Sequence, residues 1–277
     1  MPEMRVRTHG RRATLLILGL LAAALCGCAN RILLRPTTNP LETPAARRVI
    51  RVGEADLELW TLRAQDAPEG DPKVYVLSLI GKGDRAELRA VAESELWRRQ
   101  PAEIWALNYP GYGGSSGPSG LDRIPPAALA AFDEIRQAAA GRPVLVSGSS
   151  LGAAAALWIA ARRPVDGVVL RNPPPLRELI LGRHGWWNLW LGAWIVTLQI
   201  PDELDSLANG RKAAAPAVFI LSRDDRIVPP AYQQEVVEAY AGEKTVIPVE
   251  GGHSRRPAPG DLEILNGALR RLAERPR

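Results

Sequence analysis

The chain has 277 residues, 46% of them hydrophobic and 23% charged, with a formal net charge of +5. At this length roughly 70–75% of the unfolded surface can be buried, so one large domain, or one domain with a small insertion, needs no covalent staples. Residues 1–27 hold Arg5, Arg7, Arg11 and Arg12 against Glu3, which leaves 31 basic and 29 acidic residues, a net +2, in the remainder; no basic stripe is left to engage nucleic acid.

In chain order, a basic start precedes an apolar run from Leu15 to Leu25, too short for a comfortable membrane span. The run ends in Leu25-Cys26-Gly27-Cys28, which resembles the bacterial lipoprotein box. That resemblance implies a signal peptide over 1–27, acylation of Cys28 as the first mature residue, and a membrane-anchored protein facing an extracytoplasmic compartment. An ordinary signal peptide or an uncleaved anchor is the plainer alternative, and Arg11-Arg12 faintly resembles a twin-arginine signal. By resemblance to lipoprotein sorting, Ala29 after Cys28 leans toward an outer membrane. Cys26 and Cys28 are the only cysteines, so the mature domain has no disulfide, thiolate nucleophile or cysteine metal site.

Residues 28–45, rich in Pro, Thr and Asn, read as a tether. The stretch 48–62 predicts a hairpin around Gly53-Glu54-Ala55-Asp56. Strands are then predicted over 74–80, 104–108, 144–147, 167–170, 218–221 and 245–249. Helices are predicted over 86–99, 126–139, 151–162, 231–241 and 261–273. The strand runs at 144, 168 and 218 are almost wholly apolar, as in parallel strands covered on both faces. Their alternation with helices specifies an α/β fold, a mostly parallel sheet with right-handed crossovers and helices on both faces, over 46–277. The interval of about 173–212 is too long for a crossover and carries Trp186, Trp187, Trp190 and Trp194. It reads as an inserted cap whose tryptophans pack onto the sheet, line an acyl pocket or meet a lipid interface.

Between the strand ending at Ser147 and the following helix lies Gly148-Ser149-Ser150-Leu151-Gly152, a G-x-S-x-G pattern. With 11 Ser and 25 Gly in the chain, about 0.09 such matches are expected by chance. Strand before and helix after make it the context of a nucleophile elbow, with the serine oxygen held at a helix N-terminus. A serine needs a base, and the base an orienter. Of three histidines, His9 is in the leader and His184 in the cap; His253, in Gly251-Gly252-His253, follows the last strand at the sheet's carboxyl edge. The strand at 218–221 runs into Arg223-Asp224-Asp225-Arg226-Ile227-Val228-Pro229 and supplies two carboxylates.

These motifs together resemble the serine type of alpha/beta-hydrolase over roughly residues 48–275, including its prolyl-aminopeptidase-like and acyl-thioesterase-like branch. That family's D-x-x-V-P pattern matches Asp225-Arg226-Ile227-Val228-Pro229, so the resemblance gives Asp225 the orienting role and leaves Asp224 a turn residue. The order Ser150, Asp225, His253 is the order this fold uses. An oxyanion hole would draw on the backbone N–H of Leu151 and of Lys82, in Ile80-Gly81-Lys82, where many relatives carry His-Gly-Asn. The segment Asn108-Tyr109-Pro110-Gly111-Tyr112-Gly113-Gly114-Ser115-Ser116-Gly117 resembles a Y-x-G-Y-G-x-S-x-G stretch of exported relatives; its residues read mainly as turn chemistry, with Tyr112, Trp186 and Trp190 as pocket candidates. Ser150 in place of an aspartate excludes dehalogenase and epoxide-hydrolase chemistry. No H-E-x-x-H, Walker or dinucleotide pattern occurs, so no metal and no cofactor is expected. The expectation is a membrane-anchored serine hydrolase acting on a small or lipid-like acyl substrate, an ester or thioester before an amide. A tethered, non-catalytic binding scaffold of the same fold is the alternative.

Overall fold

A computed structural model describes residues 27–184, 186 and 190–275. The expected leader, apart from Gly27, lies outside the described residues, as do His9, Trp187 and the side chain of His184. Eight strands form one sheet: β1 (Ala46–Val52), β2 (Ala55–Arg63), β3 (Val74–Leu79), β4 (Ala102–Leu107), β5 (Val144–Ser149), β6 (Gly167–Arg171), β7 (Ala217–Ser222) and β8 (Lys244–Val249). Their order is β1-β2-β4-β3-β5-β6-β7-β8. β2 runs antiparallel to β1 and β4, and every later pair is parallel. The helices are α1 (Cys28–Leu33), α2 (Ala86–Leu96), α3 (Ile124–Ala138), α4 (Leu151–Ala160), α5 (Leu176–His184), α6 (Leu191–Thr197), α7 (Ser206–Gly210), α8 (Pro230–Ala239) and α9 (Pro259–Ala273).

The apolar strands do cover two cores. Val146 and Val168 join Phe132 of α3, the alanines of α4 and Val236 of α8 on one face. Their neighbours Leu145 and Val169 turn to the other face, against Trp97 and Leu265, Leu269 and Leu272 of α9. Consecutive side chains point to opposite sides of a strand, so a strand buried on both faces must be apolar at every position. Register then levels the carboxyl ends: Leu79 pairs with Gly148, Ser149 with Arg171, Arg171 with Ile220, and Ser222 with Val249. Whatever follows β3, β5, β6, β7 and β8 therefore emerges at one edge.

The cap lies between β6 and β7 and consists of α5, α6, a short 3-10 turn (Asp202–Leu204) and α7. Residues 28–45 are packed rather than trailing, with Ala29 and Leu34 buried. Hydrogen bonds run from Gly113 N–H to the Thr37 carbonyl, 2.9 Å, from an Arg85 guanidinium nitrogen to the Asn39 carbonyl, 2.8 Å, and from Leu121 N–H to Asn30 Oδ1, 2.9 Å. The segment is a strap across the body, held by partners that a local reading of Pro and Asn content does not reveal.

Candidate active site

Ser150 links β5 to α4 with φ 52° and ψ −120°. A non-glycine residue holds such a backbone, at a cost of about 1–3 kcal/mol, only where its surroundings over-determine it. Here they do. A Cβ on Gly148 would overlap the Gly152 carbonyl, and one on Gly152 would overlap the Leu79 carbonyl of β3. The Ser150 N–H donates to the Arg171 carbonyl at 2.9 Å. The small residues of α4, Ala153 to Ala156, are all buried and let the helix lie close to the sheet behind the turn.

Leu151 opens α4, and the N–H groups of a first helical turn have no intrahelical acceptor. The turn after β3 rests on the elbow: a Cβ on Gly81 would sit 3.1 Å from the Ser149 carbonyl oxygen and 3.5 Å from Ser150 Cβ. Lys82 follows directly. Its side chain is engaged elsewhere, with Nζ donating to the Ile32 carbonyl of α1, so only its backbone is available to the elbow.

Asp225 is buried and Asp224 exposed. Asp225 Oδ1 accepts the N–H groups of Ile227 (2.8 Å) and Val228 (2.9 Å). Its Oδ2 accepts from Gln233 Nε2 at 3.1 Å and bonds His253 Nδ1 at 2.6 Å. The carboxylate thus fixes the imidazole through Nδ1, which leaves Nε2 as the nitrogen open to chemistry. Two consecutive residues join this pair to the elbow. The Arg171 carbonyl accepts from Ser150, and Asn172 Nδ2 donates to the His253 carbonyl at 3.0 Å. No hydrogen bond joins Ser150 Oγ to His253; in unliganded sites that contact is often long and tightens when substrate arrives.

An uncharacterized protein of Mycobacterium tuberculosis is 29% identical over 254 residues, 88% of this chain and 86% of that one. No family model matches. An esterase from Butyrivibrio proteoclasticus with ferulic acid bound superposes with a TM-score of 0.66 at 16% identity, over 82% of this chain and all of that one. An esterase from Pyrococcus furiosus superposes with a TM-score of 0.63 at 15% identity, over 87% of this chain and 95% of that one. The chain has the alpha/beta-hydrolase fold.

Within that fold, two side chains that sequence reasoning missed organise the site. Asn172, buried at the end of β6 with φ 47°, accepts from Ser222 N–H at 2.9 Å and donates to Ser222 Oγ and to the His253 carbonyl, both at 3.0 Å. Asparagine tolerates this backbone better than other side-chain residues, and its place just after a strand was the available signal. Gln233 of α8 is fully buried and bridges Asp225 Oδ2 to the Val228 carbonyl. A glutamine inside an unremarkable helix carries no such signal.

The pocket candidates are dispersed. Tyr112 is buried edge-on against Tyr109, ring centroids 6.0 Å apart. Its hydroxyl oxygen accepts the N–H of Arg35 at 3.2 Å, so it pins the strap. Trp186 and Trp190 are exposed. The glycine-rich segment wraps a buried carboxylate: Glu58 Oε2 accepts from Gly114 N–H at 2.6 Å and from Asn108 Nδ2 at 3.2 Å. Burial works against that charge, yet hydrogen bonds from Arg47, Gly114 and Asn108 hold the Glu58 carboxyl below its ordinary value. A cavity of about 210 Å³ lies behind the elbow, between the sheet and α2 and α9, lined by Ser78, Glu93, Ser147, Ser149, Arg171 and Leu262 among others. Its lining includes Ser149 and not Ser150, so it backs the turn that carries Ser150. Cys28 lies in α1, half-buried.

Proposed function

We propose that this protein is a serine hydrolase that cleaves an acyl ester or thioester. The observation that carries the reading is the 2.6 Å bond between His253 Nδ1 and Asp225 Oδ2, at the sheet edge where Ser150 occupies a strained turn. Ser150 Oγ attacks the acyl carbonyl while His253 Nε2 takes its proton. The oxyanion that forms is stabilised by the N–H groups of Leu151 and Lys82. His253 then returns the proton to the leaving oxygen or sulfur, which departs and leaves an acyl-Ser150 ester. A water, deprotonated by the same imidazole, attacks that ester and releases the acid and free serine. The esterases among the solved neighbours support an ester as the substrate linkage. Acylation of Cys28 would hold the enzyme on a bacterial membrane, facing an extracytoplasmic compartment.

Ser150→Ala should lower turnover of a p-nitrophenyl ester by about 10⁶ while leaving thermal unfolding unchanged. A fluorophosphonate probe should label the parent at Ser150. A folded parent that takes up no probe would instead be the binding scaffold. Metabolic labelling with an alkyne fatty acid, lost in Cys28→Ala, tests the anchor.

A further inference from the structure

We propose that the outward face of α6, together with Trp186, is a surface that docks on a lipid bilayer. The sequence of α6 and its flanks, Trp190 to Ile200, is apolar on two sides. Ala193, Val196, Thr197 and Ile200 are buried against the body. Trp190, Leu191, Trp194 and Leu198 recur at helical spacing on the opposite side, and with Trp186 they are 52–69% exposed. A surface helix of a water-facing protein would carry polar residues there. Among the described residues, five of the twelve large apolar side chains left in solvent fall between 186 and 198; the rest are scattered singly, which is the ordinary condition of a surface. A cluster of this kind marks a docking site.

The occupant follows from where the chain leaves the body. Gly27 N–H and Ala29 N–H both donate to Gln199 Oε1, at 3.0 and 3.3 Å, one residue beyond Leu198. The 26 residues before Gly27 include the apolar run Leu15 to Leu25. An acyl group on Cys28 would begin at the end of the exposed face, because the Ala29 N–H bond to Gln199 remains after residues 1–27 are removed. Arg31, Arg35 and Lys82, all exposed on or beside the strap, supply positive charge toward anionic headgroups. Three tryptophans suit the headgroup level, where an apolar ring with one polar N–H is favoured. Lys82 also ties α1 to the turn that packs on the elbow.

This inference rests on the anchor proposed above and is independent of the catalytic assignment. The test uses the full chain in vesicles of phosphatidylcholine and phosphatidylglycerol whose acyl chains are brominated, with flotation and tryptophan emission read together. The expected result is flotation with quenched emission. Trp186→Ser/Trp190→Ser/Trp194→Ser should still float and should lose most of the quenching. Flotation of the parent without quenching overturns the docking surface and leaves the anchor standing; failure to float overturns both. Quenching that persists in the triple variant also overturns it. So does a parent dimer that Leu191→Glu/Leu198→Glu splits into monomers, since a second copy would then be the occupant. Thermal unfolding of Leu191→Glu/Leu198→Glu, unchanged from the parent, confirms that the variant is folded.

Discussion

Replacing Asp225 by asparagine tests the site at its most constrained atom. Oδ1 accepts two backbone N–H groups, from Ile227 and Val228. An asparagine must therefore keep its carbonyl oxygen there and turn its NH2 toward Gln233 Nε2 and His253 Nδ1, the groups now served by Oδ2. Facing a donor, His253 can satisfy it only by accepting at Nδ1, which moves its proton to Nε2. An imidazole protonated at Nε2 cannot take the proton of Ser150. A wrong tautomer of this kind costs about 10⁴ in kcat, or about 5 kcal/mol of transition-state stabilisation. The stability cost is separate: Gln233 Nε2 keeps the Val228 carbonyl and loses the second of its two acceptors in a buried site, worth about 1–3 kcal/mol, a fall in Tm of roughly 2–10 °C for a domain of this size. Initial rates on a p-nitrophenyl ester with thermal melts of the same samples would measure both. Asp224→Asn, at an exposed neighbour, should leave both unchanged. A folded Asp225→Asn enzyme with kcat within about tenfold of the parent would refute the reasoning.

Glu58 makes a prediction about pH. Its carboxyl sits below the ordinary value of 4.5 because of Arg47, Gly114 and Asn108, against the cost of burial. A depressed carboxyl contributes stability that is full above its unfolded value and is lost as pH falls through the folded one. The stability difference between the parent and Glu58→Gln should therefore be largest near neutral pH and shrink below about pH 4.5; urea melts across that range that show a constant difference would contradict it. Asn172→Ala should lose the bonds to Ser222 and His253 together. With a left-handed backbone at the same residue, it should cost about 2–4 kcal/mol in stability, and Asn172→Gly, which loses the same bonds without the backbone strain, should cost less while lowering kcat to the same extent. Parent-like kcat in both folded variants would remove Asn172 from the set of positioning residues.

The elements that the sequence made legible are those whose cause is local. Apolar runs at 144, 168 and 218 determined buried parallel strands because each residue on a doubly covered strand faces a core. Gly148 and Gly152 determined the elbow because the turn leaves no room for a Cβ, and chain order placed Asp225 and His253 after later strands of the same sheet. Tertiary structure decided what depends on partners far along the chain. Asn172 reaches His253 across 81 residues, and the strap is pinned by Tyr112 across 77. The inner or outer fate of each cap tryptophan depends on how α6 lies on the body. Composition and periodicity report which side chains seek burial; which partner a polar side chain meets, and which apolar face stays uncovered, is settled only when distant segments pack.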